Sequence, residues 1–134
     1  MIQLILHLIG DYILQSHWMA TEKTKHFLPA AIHSILYSCC FLVLGPSVAA
    51  FVAILLTHFL IDRYRLARYV VWVKNFMAPL RPEPDNGSTN PTWKDCKATG
   101  YSPDTPAWLA VWLLIIADNT MHLAINYAAL IWLK

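Results

Sequence analysis

Four apolar runs constrain this chain more than any other feature: Ile2 to Ala20, Leu28 to Leu44, Ser47 to about Val73, and Ala107 to Leu133. Each approaches or exceeds the ~20 residues a helix needs to cross a hydrocarbon core. At 57% hydrophobic and 13% charged, 134 residues carry too little polar surface for a soluble globule of this size. The runs predict an all-α, polytopic membrane protein. Its four transmembrane helices, over about 2–20, 28–44, 47–75 and 107–133, form one compact bundle. No basic residue precedes the first run, and His7 and Asp11 interrupt it, so it reads as a retained helix rather than a signal peptide.

Polar punctuation organises the rest. The link from Thr21 to Phe27 carries Glu22, Lys23, Lys25 and His26 and is expected to be wet. Pro29 suits a first helical turn, and Gly45 with Pro46 makes a tight hairpin, so the second and third helices are antiparallel neighbours. Arg63, Arg65, Arg68 and Lys74 alternate with Tyr64, Tyr69 and Trp72, the pattern of an interfacial extension on the third helix. Six of the eight prolines fall between Pro79 and Pro106, which predicts a loop without a core of its own. Nine of the ten Lys and Arg residues lie in the link, the tail of the third run and this loop. The positive-inside rule places those segments in the cytoplasm and both termini outside. The sequon Asn86-Gly87-Ser88 is then out of reach of glycosylation.

Cys39, Cys40 and Cys96 have neither disulfide nor zinc-ligand spacing and read as apolar filler and a free loop thiol. The chain has no phosphate-binding glycine loop or nucleophile elbow, and a net charge of +2 points to no nucleic-acid partner. Nothing in it indicates an oligomeric state.

Chemistry concentrates on three acids within the spans. Asp11, Asp62 and Asp118 each have a histidine four residues away: His7, His58 and His122. Four apart is one helix face, and with six His in the chain three such pairs arise by chance about once in a thousand. Helices one and three read His then Asp, and helix four reads Asp then His. With the topology above, all three carboxylates lie one turn, ~5.4 Å, on the cytoplasmic side of their imidazoles. Two layers are expected, with His33 joining from the second helix.

Charged groups at that depth must pair, coordinate a cation or face water, so they converge on the bundle interior. Imidazole with carboxylate suits a divalent metal, zinc by preference, held among His7, Asp11, His33, His58, Asp62, Asp118 and His122. A metal-dependent hydrolase acting on a membrane lipid would use Asp62 or Asp118 as catalytic base, with Arg63, Arg65 and Arg68 holding the lipid head group. Two non-enzymatic readings stay open: self-neutralised pairs that glue helices together, and a proton or ion pathway. Gln15 and Asn119 are candidates to hydrogen-bond and orient the ligands, while His17 and His26 read as rim histidines.

The ordered segments His7 to Gln15 (HLIGDYILQ), Trp18 to Ala20 (WMA), His33, His58 to Asp62 (HFLID) and Asp118 to His122 (DNTMH) resemble a group of small bacterial and phage membrane proteins catalogued as a domain of unknown function. The resemblance spans most of the chain outside the Pro-rich loop. It implies a bacterial inner-membrane location and kinship with proteins labelled membrane-bound metal-dependent hydrolases. Asn119 departs from it, because a Gln is expected after the Asp.

Overall fold

The computed structural model describes residues 1–77 and 92–133, and the regular elements among them are all helical. Seven α-helices follow in order: α1 Ile2–Leu8, α2 His17–Glu22, α3 Phe27–Cys40, α4 Val48–Tyr64, α5 Ala67–Phe76, α6 Trp93–Cys96 and α7 Ala107–Trp132. The chain divides into two compact units, Met1–Arg65 with Asn119–Lys134, and Leu66–Asp118.

In the first unit, α1 runs directly into a π-helical turn, Ile9–Ile13, and stops. Ser16 takes an extended conformation, and its hydroxyl accepts the Met19 N–H at 3.3 Å, which starts α2 afresh. α3 tightens into a 3-10 turn, Phe41–Leu44, and ends on Gly45, whose φ of 60° is left-handed and easy only for glycine. Ser47 then caps α4 by accepting the Ala50 N–H at 3.0 Å. The predicted hairpin follows: His33 meets His58 and Tyr37 packs with Ile54, so positions climb α3 as they descend α4. Tyr37, Phe41, Ile54 and Ala129 form the apolar core. Gly10 brings the π turn against α3, since a Cβ there would stand 2.6 Å from the Tyr37 ring and 3.2 Å from its Cα.

The four expected spans reduce to two. Phe27–Leu44 and Ala107–Trp132 are long and apolar enough to cross a membrane. Ser16 divides the first expected helix, leaving a 12-residue helical stretch Ile2–Ile13 before it. The third expected helix breaks at Arg65, which adopts a left-handed φ of 53° and leaves α4 with 17 residues. α5 is therefore a separate helix rather than an extension.

Polarity in the first unit is inverted relative to a soluble fold. His7, His33, His58, His122 and Asn126 are all buried to 1% exposure or less, while Ile13, Val43, Val48 and Trp132 are each at least 70% exposed. Water as the only solvent would favour the opposite arrangement.

The second unit gives part of the expected loop a core. Thr92 and Asp95 close a capping box at the start of α6. Trp93 stacks on Tyr69 at 4.7 Å between ring centroids and meets Trp72 edge-on. Asn75 donates to the Gly100 carbonyl at 3.0 Å, and Gly100 has a φ of 82° where any Cβ would strike the Arg68 carbonyl. Cys96, expected as a free loop thiol, is buried. Residues 78–91, which hold the sequon and four of the eight prolines, lie outside the described residues.

Candidate metal centre

α1 with its π turn, α3 and α4 each deliver side chains to one buried point. The π turn carries Asp11, α3 carries His33, and α4 carries His58 and Asp62 one turn apart. π turns arise where an extra residue is accommodated within a helix, frequently at functional sites.

Four atoms converge. His33 Nε2 lies 3.3 Å from Asp11 Oδ1 and 3.1 Å from Asp62 Oδ2. His58 Nε2 lies 3.4 Å from Asp11 Oδ1, 3.2 Å from Asp62 Oδ2 and 3.1 Å from His33 Nε2. These are five of the six edges of a tetrahedron, and the sixth, between the two carboxylates, is within 4.8 Å. A regular tetrahedron with such edges has its centre about 2.0 Å from each corner, the length of a bond from zinc to imidazole nitrogen or carboxylate oxygen. Asp11 Oδ1 and His58 Nδ1 are buried without a hydrogen bond. That anionic oxygen faces two imidazole nitrogens, at 3.3 and 3.4 Å, and is answered by an imidazolium or by a cation among them; the donor set fits a divalent ion.

The two expected layers collapse into one, because both imidazoles touch both carboxylates. His122 stands beside the cluster, with Nε2 3.5 Å from Asp62 Oδ1 and its ring 4.3 Å from that of His58. His7 Nδ1 lies 3.5 Å from Asp11 Oδ2, the carboxylate oxygen outside the four-atom set. Asn126 donates to the Tyr37 hydroxyl at 2.6 Å, leaving the hydroxyl proton for His7 Nδ1 at 2.7 Å, and His7 Nε2 donates to Asn119 Oδ1 at 3.1 Å. With both ring nitrogens used, His7 orients its neighbours and does not join the four atoms. Asp118 belongs to the second unit and is half-buried, one turn before His122 on α7. His17 and His26 are exposed.

Lys23 is the functional residue sequence reasoning missed. The link expected to be wet folds back, and the Lys23 ammonium lies 2.7 Å from Asp62 Oδ2, 2.7 Å from Gln15 Oε1 and 3.3 Å from His33 Nε2. Arg63 holds the link in place by donating to the carbonyls of Thr24 and Lys25. Tyr37 and Asn126 were also missed. Each lies four residues beyond a site histidine, His33 and His122, so same-face spacing was a signal for both.

A family model described as "Protein of unknown function (DUF3307)" matches residues 1–83, the segment that supplies all four converging atoms. No curated protein and no solved structure matches the chain.

Proposed function

The chain belongs to the DUF3307 family, and we propose that it is a bacterial inner-membrane protein whose Asp11, His33, His58 and Asp62 bind one divalent metal, zinc by preference, for hydrolysis of a membrane lipid. The set of 3.1–3.4 Å separations among those four residues carries the reading. Inverted polarity supports the membrane. The positive-inside rule puts the basic link at Lys23 and Lys25 and the Arg63 end of α4 on the cytoplasmic side.

A metal there would supply Lewis acidity, and it would bring the pKa of a water toward ~7 once one of the four donors cedes its corner to that water, since four protein ligands alone close a tetrahedral site. Asp62 sits on the side where Lys23 meets the cluster, and its second oxygen stays near His122. That makes Asp62 the donor best placed to cede its corner and act as base, and Asp118 has no part in the four-atom set. Arg63 and Arg65 follow Asp62 on the chain and are proposed to meet lipid head groups.

A specific observation also favours proton or ion passage: the rings of His33, His58 and His122 form a file with centroids 5.0 and 4.3 Å apart. Elemental analysis of chain purified in detergent without chelator separates the readings. About one divalent ion per chain is expected, and under about 0.2 sinks the metal centre. Asp62→Asn should lose metal and lipid hydrolysis together, while Asp118→Asn keeps its metal. If metal-loaded native protein cleaves no lipid, the ion-handling reading takes the hydrolase's place.

A further inference from the structure

We propose that Lys23 makes this centre a receptor for phosphoryl anions, so that the ligand is a phosphate-bearing head group or free phosphate rather than a neutral ester or amide. The assignment rests on the metal reading above. Charge comes first. Asp11 and Asp62 contribute two negative charges, the ligating imidazoles are neutral, and a divalent ion balances the carboxylates. Lys23 then adds a positive charge of its own at the edge of the cluster. Glu22, the nearest acid on the link, does not cancel it, because its carboxylate is 2.9 Å from Lys25 and 3.5 Å from His26.

Donor count points the same way. An ammonium has three N–H donors, and Lys23 has three acceptors at hand: Gln15 Oε1, Asp62 Oδ2 and His33 Nε2. An imidazole nitrogen has a single lone pair. When His33 Nε2 gives it to a metal, Lys23 keeps Gln15 Oε1 and the second lone pair of Asp62 Oδ2, and one N–H is left to find an acceptor. That donor is what an anionic ligand would accept. Gln15 holds the ammonium from outside the cluster. The Lys23 side chain is 17% exposed, against 10% for Asp11, 5% for Asp62 and 1% or less for the two imidazoles, which makes it the side from which a ligand arrives.

The test is calorimetric titration of metal-loaded, detergent-purified full chain with inorganic phosphate and with a short-chain phosphatidic acid, alongside metal content. Lys23→Met should keep its metal and lose about 10- to 100-fold in affinity for both probes, the effect of one charge-assisted hydrogen bond, while Lys23→Arg keeps most of it. Tighter binding of phosphatidic acid than of phosphate assigns a lipid head group, and equal affinities assign free phosphate. Lys23→Gln serves as a second neutral variant should Lys23→Met lose its metal. Native affinity for phosphate in either metal-loaded neutral variant overturns the proposal. Loss of metal from both overturns it too, since Lys23 would then only support the ligands. A native protein that holds metal and ignores both probes overturns this inference alone, whereas a native protein without metal removes the reading beneath it.

Discussion

The ring of Tyr37 lies face-on against that of His58, with centroids 3.6 Å apart and planes 16° from parallel. Ligating histidines ordinarily owe their orientation to a hydrogen bond from the second ring nitrogen. His58 Nδ1 has none, so stacking does that work here. The Tyr37 hydroxyl in turn is held by Asn126 and His7.

Tyr37→Phe separates these roles. The stacked ring persists, so metal content should not change. The Asn126 amide and His7 Nδ1 lose their buried partner, and stability should fall by about 1–3 kcal/mol. Denaturant unfolding of the detergent-solubilised chain, with metal analysis on the same sample, checks both halves.

Gly10→Ala tests the packing that delivers Asp11. The added methyl meets a Tyr37 ring that stacking and two hydrogen bonds keep from moving, so the π turn must retreat from α3. Overpacking of this kind costs about 1–3 kcal/mol. Unlike Tyr37→Phe, it should also weaken metal binding, because Asp11 Oδ1 moves with the backbone. Unchanged metal affinity would show that Asp11 is dispensable.

What the sequence made legible is the part written in helical periodicity. The spacings of four that tie His7 to Asp11 and His58 to Asp62, the turn at Gly45 and the long apolar α7 all survive in the structure. Lys23 and Gln15 were illegible as a pair because they sit eight residues apart across the Ser16 break, where no period relates them. The end of α4 was hidden for another reason. Arg65 takes a left-handed φ that non-glycine residues rarely adopt, so nothing local announces it.

Outside the spans, Asp95 gives a pH dependence. Hydrogen bonds from the Thr92 hydroxyl and backbone N–H hold its carboxyl below the usual carboxylate range. Lowered pKa in the folded state means the capping box contributes fully above the unfolded value of about 3.9 and is lost as pH falls through the folded one. Protection against amide exchange in α6 and the following turn, through Gly100, relative to the intrinsic rate at each pH, should fall in that acid window. Thr92→Ala should lower protection at neutral pH and remove its dependence on pH.

Orientation is tested by a single cysteine. Cys96 is 3% exposed and a poor reporter. Asp104 is exposed within the basic, proline-containing region. With Cys39, Cys40 and Cys96 replaced by alanine, Asp104→Cys should react with an impermeant maleimide in inside-out vesicles and resist it in intact cells. Reaction in intact cells would invert the assigned topology.

The π turn at Ile9–Ile13 amounts to one surplus residue in a helix, and that surplus acts as a phase shift. Everything before it, His7 included, is rotated by roughly 100° relative to everything after it, compared with an uninterrupted α-helix. His7 can therefore serve the Tyr37 network and Asp11 Oδ1 the four-atom cluster while the two side chains still meet, Asp11 Oδ2 lying 3.5 Å from His7 Nδ1. Removing Ile9 would restore regular winding and a shorter, better hydrogen-bonded helix. It would also swing one of these two side chains out of its place, so a deletion that improves the helix would dismantle one of the two networks.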